Sequence, residues 1–572
     1  MDSDSTQQGG ISGRQAKDPA NEEDPSVRNN PRYYQLYPIL SDADIERMRR
    51  FGSLTHRSAG QALYRAGGIS PGMFVLLSGK VRVVGRDALG RERVVRAQME
   101  RGEFSSEIGQ LAGKPAVVDA IVTEDVEALL LPMEGVRALM IAEAELGERL
   151  MRSLILRRVA AIERGDGPIL VGTSASARFL ALQNFLRRNS QPHLALDALS
   201  DPAALGLIER LAPKRDDFPL VICPNGSVLR NPEEAQLASC LGLLPEFNPA
   251  HVYDVAIVGA GPGGLAAAVY AASEGLSVVA FDFRAPGGQA GTSSRIENYL
   301  GFPTGISGQA LAGRAFNQAQ KFGAHIGIPC EIKALHCGAL PLAVELGDGR
   351  RIQTRSVVIA SGAEYRRPPV EHLARFEGCG VYYWASPVEA RLCRNDPVLL
   401  VGGGNSAGQA VAYLASHASH VHLLIRAANL EQSMSRYLIE RITSLPNVTL
   451  HARAEVTALE GAERLERVRY RRKGEGEEHS IATHHLFLFI GAQPNTGWLQ
   501  TCGVSLDPKG FVLTGTDIPG VVPRSLPLET SVDGVFAIGD VRAGSTKRVA
   551  AAVGEGAAVV AQIHRFLATG HR

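Results

Sequence analysis

The sequence predicts a multidomain α/β chain: a strand-rich roll with helices, then a small α/β unit, then two three-layer β-α-β units. Three observations predict it. Apolar strands run straight into glycine-rich turns and then helices at Val255–Gly264 and again at Val398–Ala407. Short β-rich runs broken by glycine fill the segment from Tyr33 to about Val159. From Ile169 to about Gly242, strand and helix patterns alternate as in a further, smaller unit.

Bulk properties set the frame. A chain of 572 residues accommodates roughly four domains. Its 45% hydrophobic and 21% charged residues are ordinary for a soluble globular protein. A formal net charge of +1 supplies no field for nucleic acid or an anionic membrane, and neither is expected as a partner. The seven cysteines (Cys223, Cys240, Cys330, Cys337, Cys379, Cys393 and Cys502) include no C-x-x-C, and no His/Cys cluster has zinc spacing. That usage reads as a reduced, cytoplasmic protein without a metal. The opening MDSDSTQQGG has no basic-then-apolar signal. The apolar stretch Val252 to Phe281 is broken by glycines, Asp254 and Glu274, so it reads as a buried β-α-β unit and not as a membrane span.

The elements follow in order. Residues 1–30 are polar and read as a disordered tail. Phe74 to Val83 reads as a hairpin around Ser78-Gly79, Gly85 to Gln98 as another, Val126 to Leu131 as a last strand, and Glu134 to Arg158 as one helix. Leu77-Ser-Gly-Lys-Val-Arg-Val83 and Phe104-Ser-Ser-Glu-Ile-Gly109 resemble the cyclic-nucleotide-binding β-roll, placed over residues 31–160. That family follows its short helix with P-R-x-A, whose arginine pairs with the cyclic phosphate. Here Lys114-Pro115-Ala116 puts Ala116 at the arginine position, and Lys114 is the remaining nearby cation.

Residues 166–245 give the order β-α-β-α-β-β-α, which resembles the thioredoxin or glutaredoxin fold. Pro219 stands where that family keeps a cis-proline. Thr173-Ser174-Ala175-Ser176 occupies the turn where the dithiol would lie.

The first fingerprint is Gly259-Ala-Gly261-Pro262-Gly263-Gly264, between the strand Val255–Val258 and an alanine-rich helix. The first glycine makes the tight turn, the second lets a pyrophosphate approach, and the third lets helix and strand pack closely. The helix N-terminus then faces the phosphates. Asp282, about 20 residues on, suits ribose hydroxyls. The second is Gly402-Gly-Gly404-Asn405-Ser406-Ala407, a G-x-G-x-x-A copy. Its second strand ends on Arg426, which suits a 2′-phosphate and hence NADPH, with NADH also open. Two such Rossmann-type three-layer dinucleotide-binding domains, with Gly539-Asp540 near the end, form a two-dinucleotide flavoprotein layout. The first domain spans 250–370 and 486–572 and takes FAD. The second, 371–485, is inserted and takes the nicotinamide nucleotide.

Residues 253–572 resemble thioredoxin reductase of the low-molecular-weight class. The resemblance rests on Pro286-Gly-Gly-Gln289, Ile296-Glu-Asn298-Tyr-Leu-Gly301, Ile359-Ala-Ser-Gly362-Ala363, Ile490 to Thr496 and Val535 to Asp540. It implies that Gln289, Asn298, Gly362, Gly539, Asp540, Lys547, Arg548 and Val549 join the flavin site, and that the protein is a homodimer. The chain departs from the family where C-A-T-C is expected: Trp384 and Pro387 stand at the two cysteine positions. Cys379 and Cys393 flank the site and read as small hydrophobes. The family's H-R-R-x-x-F-R also shrinks to Leu424-Ile-Arg426-Ala-Ala-Asn-Leu-Glu431, with Arg436 further on. These features imply hydride transfer from NAD(P)H to FAD, no protein acid-base group for that step, and an acceptor that is a small molecule or a redox protein. A thioredoxin-reductase-like ferredoxin–NADP reductase, or a redox or nucleotide sensor with little turnover, remain alternatives.

Overall fold

The structure, a computed structural model, describes residues 25–569 apart from 87–91, 107–112, 519–525 and positions 175, 245, 249, 294, 378, 386, 463 and 475. Most of the tail expected over 1–30 and part of the Phe104–Gly109 motif therefore lie outside the described residues. The chain divides into two compact units: residues 1–110 with 116–160, and residues 161–572 with 111–115.

The smaller unit begins with short helices α1 (Pro25–Arg28), α2 (Tyr33–Leu36) and α3 (Asp42–Met48). Ser41 caps α3 in a reciprocal box with Asp44. Strands β1 (Ser53–Arg57), β2 (Ala62–Tyr64), β3 (Met73–Arg86), β4 (Glu92–Met99) and β5 (Asp119–Leu131) form one sheet in the order β1-β5-β3-β4, with β2 also on β5. The hairpin expected at Ser78-Gly79 is not there: β3 runs straight through it. Gly79 has φ +80°, and a Cβ on it would sit 2.0 Å from the Asp125 carbonyl oxygen of β5. The glycine marks register shifts in the β3–β5 ladder and not a reversal. β3 does pair antiparallel with β4, and the connection between them lies outside the described residues.

The single helix expected over Glu134–Arg158 is two, α4 (Met133–Ala142) and α5 (Ala144–Arg164). Glu143 leaves the helical region (φ −118°, ψ 85°). Its carboxylate accepts from Arg47 at 3.2 Å and Arg50 at 2.6 Å, partners about a hundred residues away that hold the break open.

The larger unit opens with β6 (Ile169–Gly172), α6 (Ala177–Arg188), β7 (Leu194–Asp197), α7 (Pro202–Leu211), β8 (Leu220–Ile222), β9 (Val228–Arg230) and α8 (Glu234–Cys240). The sheet order is β7-β6-β8-β9, with β7 parallel to β6 and the other pairs antiparallel. The Phe218–Pro219 peptide is cis. The reading of all cysteines as reduced needs correction here: Cys223 and Cys240 form a disulfide, with Cα atoms 6.1 Å apart. They are 17 residues apart, a spacing that matches no motif, and only the return of α8 onto the β8–β9 turn brings them together.

A seven-stranded sheet follows, from β10 (Val252–Val258), β11 (Val278–Phe281), β12 (His325–Gly327), β13 (Ile332–His336), β14 (Leu342–Leu346), β15 (Arg351–Ile359) and β26 (Val535–Ala537). Parallel β12-β11-β10-β15 is flanked by antiparallel β14 and β13, and β26 adds parallel to β15. Helices α9 (Pro262–Ser273), α10 (Gly308–Lys321) and α15 (Val549–Ala568) complete this part. α9 is buried along most of its length and crosses α15 closely: a Cβ on Gly556 would meet the Gly263 carbonyl at 2.4 Å. Small residues on both helices are what permit that approach.

β16 (Ala363–Tyr365) pairs with β25 (Ala492–Pro494) in a two-stranded link. Between them lies the inserted part: α11 (Leu373–Phe376), β17 (Val381–Tyr382), α12 (Pro387–Leu392), β18 (Pro397–Val401), α13 (Asn405–Leu414), β19 (His420–Leu424), α14 (Arg436–Thr443), β20 (Val448–His451), the meander β21 (Ala454–Glu460), β22 (Arg467–Arg472) and β23 (Glu478–Ala482), and β24 (Leu486–Leu488). Its main sheet is β17-β24-β18-β19-β20, all parallel. β24 sits inside that sheet, so the inserted part reaches past the expected limit at His485.

Candidate functional site

Both fingerprints form strand–turn–helix junctions. Gly259, at the end of β10, has φ +110°, and a Cβ on it would lie 2.1 Å from the Ala360 carbonyl. Gly264, in the first turns of α9, would place a Cβ 1.8 Å from the Gly259 carbonyl. Gly261 caps α9 in extended conformation with Pro262 at the first helical position, and its Cβ would meet nothing nearer than Gly288 Cα at 4.0 Å. The turn therefore closes on Gly259 and Gly264 and leaves room at Gly261, as the motif predicts. In the second junction Gly402 has φ +152°, and a Cβ there would lie 2.4 Å from the Phe489 carbonyl. Gly404 caps α13, and the Asn405 side chain accepts from Ser435 N–H at 2.6 Å.

Asp282 ends β11. Its carboxylate accepts backbone N–H bonds from Ala260 (3.0 Å), Arg284 (3.1 Å) and Ala285 (3.2 Å). Burial pushes its pKa up, and those bonds with the nearby Arg188 guanidinium pull against that. At the far end of the chain, burial likewise pushes Asp540 up, opposed by Lys547. Lys547 lies 4.5 Å over the Phe511 ring and is itself pushed down by burial. Gly539 N–H donates to Glu555 at 2.6 Å, which fixes the turn after β26.

A cavity of about 1320 Å³ joins these pieces. Of the residues singled out in the sequence, Gly259, Gly261, Pro262, Gly263, Asp282, Gln289, Asn298, Gly362, Asn405, Ser406, Gly539, Asp540, Lys547, Arg548 and Val549 line it. Gly264, Gly402, Gly404, Ala407 and Arg426 do not. Ala407, in the first turn of α13, is fully buried, and Arg426 is exposed just beyond β19. Gln289 is held by a hydrogen bond from its amide to the Ala363 carbonyl. The cavity exceeds the usual few hundred to a thousand cubic ångströms of small-ligand sites and has the capacity for a dinucleotide.

Sequence reading missed several lining residues. Arg188 comes from α6, ahead of the first fingerprint, and no motif marks it. Cys330 lines the cavity as an isolated thiol that burial pushes up to about 12. Trp384, at the first of the two positions the resemblance assigns to a dithiol, also lines it. The Trp384 indole donates to Glu389 at 3.1 Å, and the Arg284 guanidinium lies 5.9 Å from the ring centroid. Of the flanking cysteines, Cys393 is fully buried as expected, whereas Cys379 is half-buried. Around the Thr173–Ser176 turn, Ser176 serves as the cap of α6, accepting from Phe179 N–H at 3.3 Å; Ala175 lies outside the described residues.

In the β-roll, Ala116 is 2% exposed among Leu63, Tyr64 and Val95, so the side chain at the arginine position is part of the core. Arg157 of α5 does not stand in for that arginine. It donates to the carbonyls of Leu36 (2.8 Å), Phe104 (2.8 Å) and Ser106 (3.0 Å) and lies over the Phe104 ring at 4.4 Å. Lys114, which groups with the larger unit, lies 5.5 Å over the Phe316 ring.

Comparison with known proteins agrees with both parts. Residues 253–556 match the model of the pyridine nucleotide-disulphide oxidoreductase family, and residues 54–143 match the cyclic nucleotide-binding domain. The chain is 33% identical over 306 residues to the thioredoxin reductase of Mycoplasmopsis pulmonis, covering 53% of this chain and 94% of that one. It is 33% identical over 327 residues to NADPH-dependent thioredoxin reductase 3 of Arabidopsis thaliana, covering 55% of this chain and 58% of that one. Among solved structures, T. acidophilum thioredoxin reductase superposes with a TM-score of 0.50 at 29% identity, over 55% of this chain and 98% of its own. The chain belongs to the pyridine nucleotide-disulphide oxidoreductase family, with thioredoxin reductases as relatives and a cyclic nucleotide-binding domain on its N-terminal side.

Proposed function

We propose that this chain is an FAD-dependent oxidoreductase that takes hydride from NAD(P)H and passes electrons to a small molecule or a redox protein, without an internal dithiol beside the flavin. One observation carries the reading: a single cavity is lined by the first fingerprint, Asp282 and Asp540 on one side and by Asn405 and Ser406 of the second fingerprint on the other. The residues fit a flavin dinucleotide. Gly261 leaves open space at the α9 N-terminus where a pyrophosphate would approach, and backbone N–H groups there suit an anion. Asp282 would hold ribose hydroxyls and Asp540 the ribityl chain. Bound FAD supplies the hydride chemistry itself. The chain's residues bind, orient and keep water from the ring system. A homodimer belongs to the same reading, and among the described residues no helix is long and apolar enough to cross a membrane.

The test is anaerobic reduction. Purified protein is expected to be yellow and to bleach on addition of NADPH or NADH. Colourless protein that binds no added FAD, or flavin that neither nucleotide reduces, would sink the reading.

Nucleotide preference rests on Arg426. Arg436 is 92% exposed along its side chain and pairs with Glu440 at 2.9 Å, so it is not organised for a phosphate. A charge-assisted hydrogen bond is worth about 1.5–3 kcal/mol, less at an exposed position. Arg426→Ala is expected to raise KM for NADPH about five- to tenfold and to leave KM for NADH unchanged. Equal effects on both nucleotides would show that Arg426 does not meet the 2′-phosphate.

A further inference from the structure

The thioredoxin-like part reaches into the cavity. α6 ends on Arg187 and Arg188, and Arg188 lines the cavity wall. Its Nη2 donates to the Gly288 carbonyl at 3.1 Å. Gly288 lies against the α9 cap: a Cβ on it would come within 3.1 Å of Gly261 Cα. The same guanidinium acts on the Asp282 carboxylate and favours its charged form. Arg188 therefore stands beside both the α9 N-terminus and Asp282.

The surrounding junction holds it there. Asn189, 7% exposed, donates from Nδ2 to the Arg284 carbonyl at 2.8 Å. Gln309 of α10 donates to the Arg187 carbonyl at 2.6 Å. Glu234 of α8 accepts from Arg284 at 2.7 Å. That last pair leaves Arg284, also a lining residue, already neutralised.

Resting on the FAD reading above, we propose that Arg188 is a cofactor-site residue whose guanidinium binds the pyrophosphate of the dinucleotide at the α9 N-terminus. A pyrophosphate brings negative charge into a partly buried site that already holds the Asp282 carboxylate. The first turn of α9 is Pro262-Gly263-Gly264, which offers backbone N–H groups but no side-chain cation. Arginine meets phosphate with a planar fork of donors. The thioredoxin-like part then has a role that needs no dithiol: it is a fixed wall of the flavin site and not a carrier of electrons.

The test uses apoprotein of the full chain, titrated with FAD by flavin fluorescence at 50 mM and 1 M KCl. Arg188→Met keeps the apolar stem and removes the charge. Its Kd for FAD is expected to rise about tenfold at low salt and much less at 1 M, where screening shortens to about 3 Å. Arg188→Lys is expected to recover part of the loss. A Kd within twofold of wild type at low salt would overturn the proposal. So would a loss equal at both salt concentrations and not recovered by lysine, because that is misdocking of α6 and not charge. Wild-type protein that binds no FAD would instead remove the cofactor assignment on which the proposal rests.

Discussion

Gly261→Ala is expected to lose flavin while keeping its stability, and Gly264→Ala to lose flavin and stability together. The two glycines sit three residues apart in one turn, yet a methyl group meets different neighbours at each. On Gly264 it would lie 1.8 Å from the Gly259 carbonyl, a backbone atom that no side-chain rotation removes. α9 must then move off β10, and α15 with it, because Gly556 already rests on the Gly263 carbonyl. Overpacking of this kind costs about 3 kcal/mol. In thermal melts of the apoprotein that is a midpoint lower by about 6–12 °C. On Gly261 the methyl meets nothing within 4 Å but Gly288 Cα, and the backbone is extended, so the apoprotein should melt like wild type. The methyl instead fills the space where pyrophosphate approaches the helix N-terminus. Losing a charged hydrogen bond and the helix-end interaction together weakens FAD binding by about 100-fold. A Gly261→Ala protein that purifies with full flavin would remove the pyrophosphate from this turn.

That contrast was readable in the sequence because the constraint is local. A G-x-G-x-x-G turn fixes which glycine is crowded and which is open from the geometry of strand, turn and helix alone. The features that escaped reading depend on partners far along the chain. Gly79 looks like a hairpin residue until Asp125 of β5 is placed against it. The break at Glu143 is set by Arg47 and Arg50, whose side chains the helical pattern does not contain. Cys223 and Cys240 match no spacing rule, and Arg188 reaches the cavity only because the β6–α8 part docks on α10 and the Pro286–Gln289 loop. Local sterics and strand periodicity are legible in one dimension; docking and long-range ion pairing are not.

The second large effect concerns the acceptor. NADPH is expected to bleach the flavin without supporting turnover of oxidised thioredoxin, which should stay at the rate of a blank. Passing electrons from reduced flavin to thioredoxin would need a disulfide within reach of the flavin, and then one of its thiolates to attack the thioredoxin disulfide. The cavity-lining cysteine is Cys330, held at about 12 by burial, so its thiolate fraction at pH 7 is about 10⁻⁵. Cys393 is fully buried and also pushed to about 12, and burial raises Cys379. Cys337 and Cys502 act on each other, which pushes Cys502 down and Cys337 up, but neither lines the cavity. At the position nearest the expected dithiol the Trp384 indole, bonded to Glu389, offers no sulfur. Counting reactive thiols under denaturing, anaerobic conditions before and after NADPH gives a direct measure: the count should not change. Two new thiols would overturn the prediction, and the Cys223→Ser variant would then show whether the Cys223–Cys240 bridge had received the electrons. Turnover with ferredoxin alongside a constant thiol count would select the ferredoxin reductase reading. Bleaching with no turnover on thioredoxin, ferredoxin, quinone or oxygen would leave the flavin as a sensor of nicotinamide redox state.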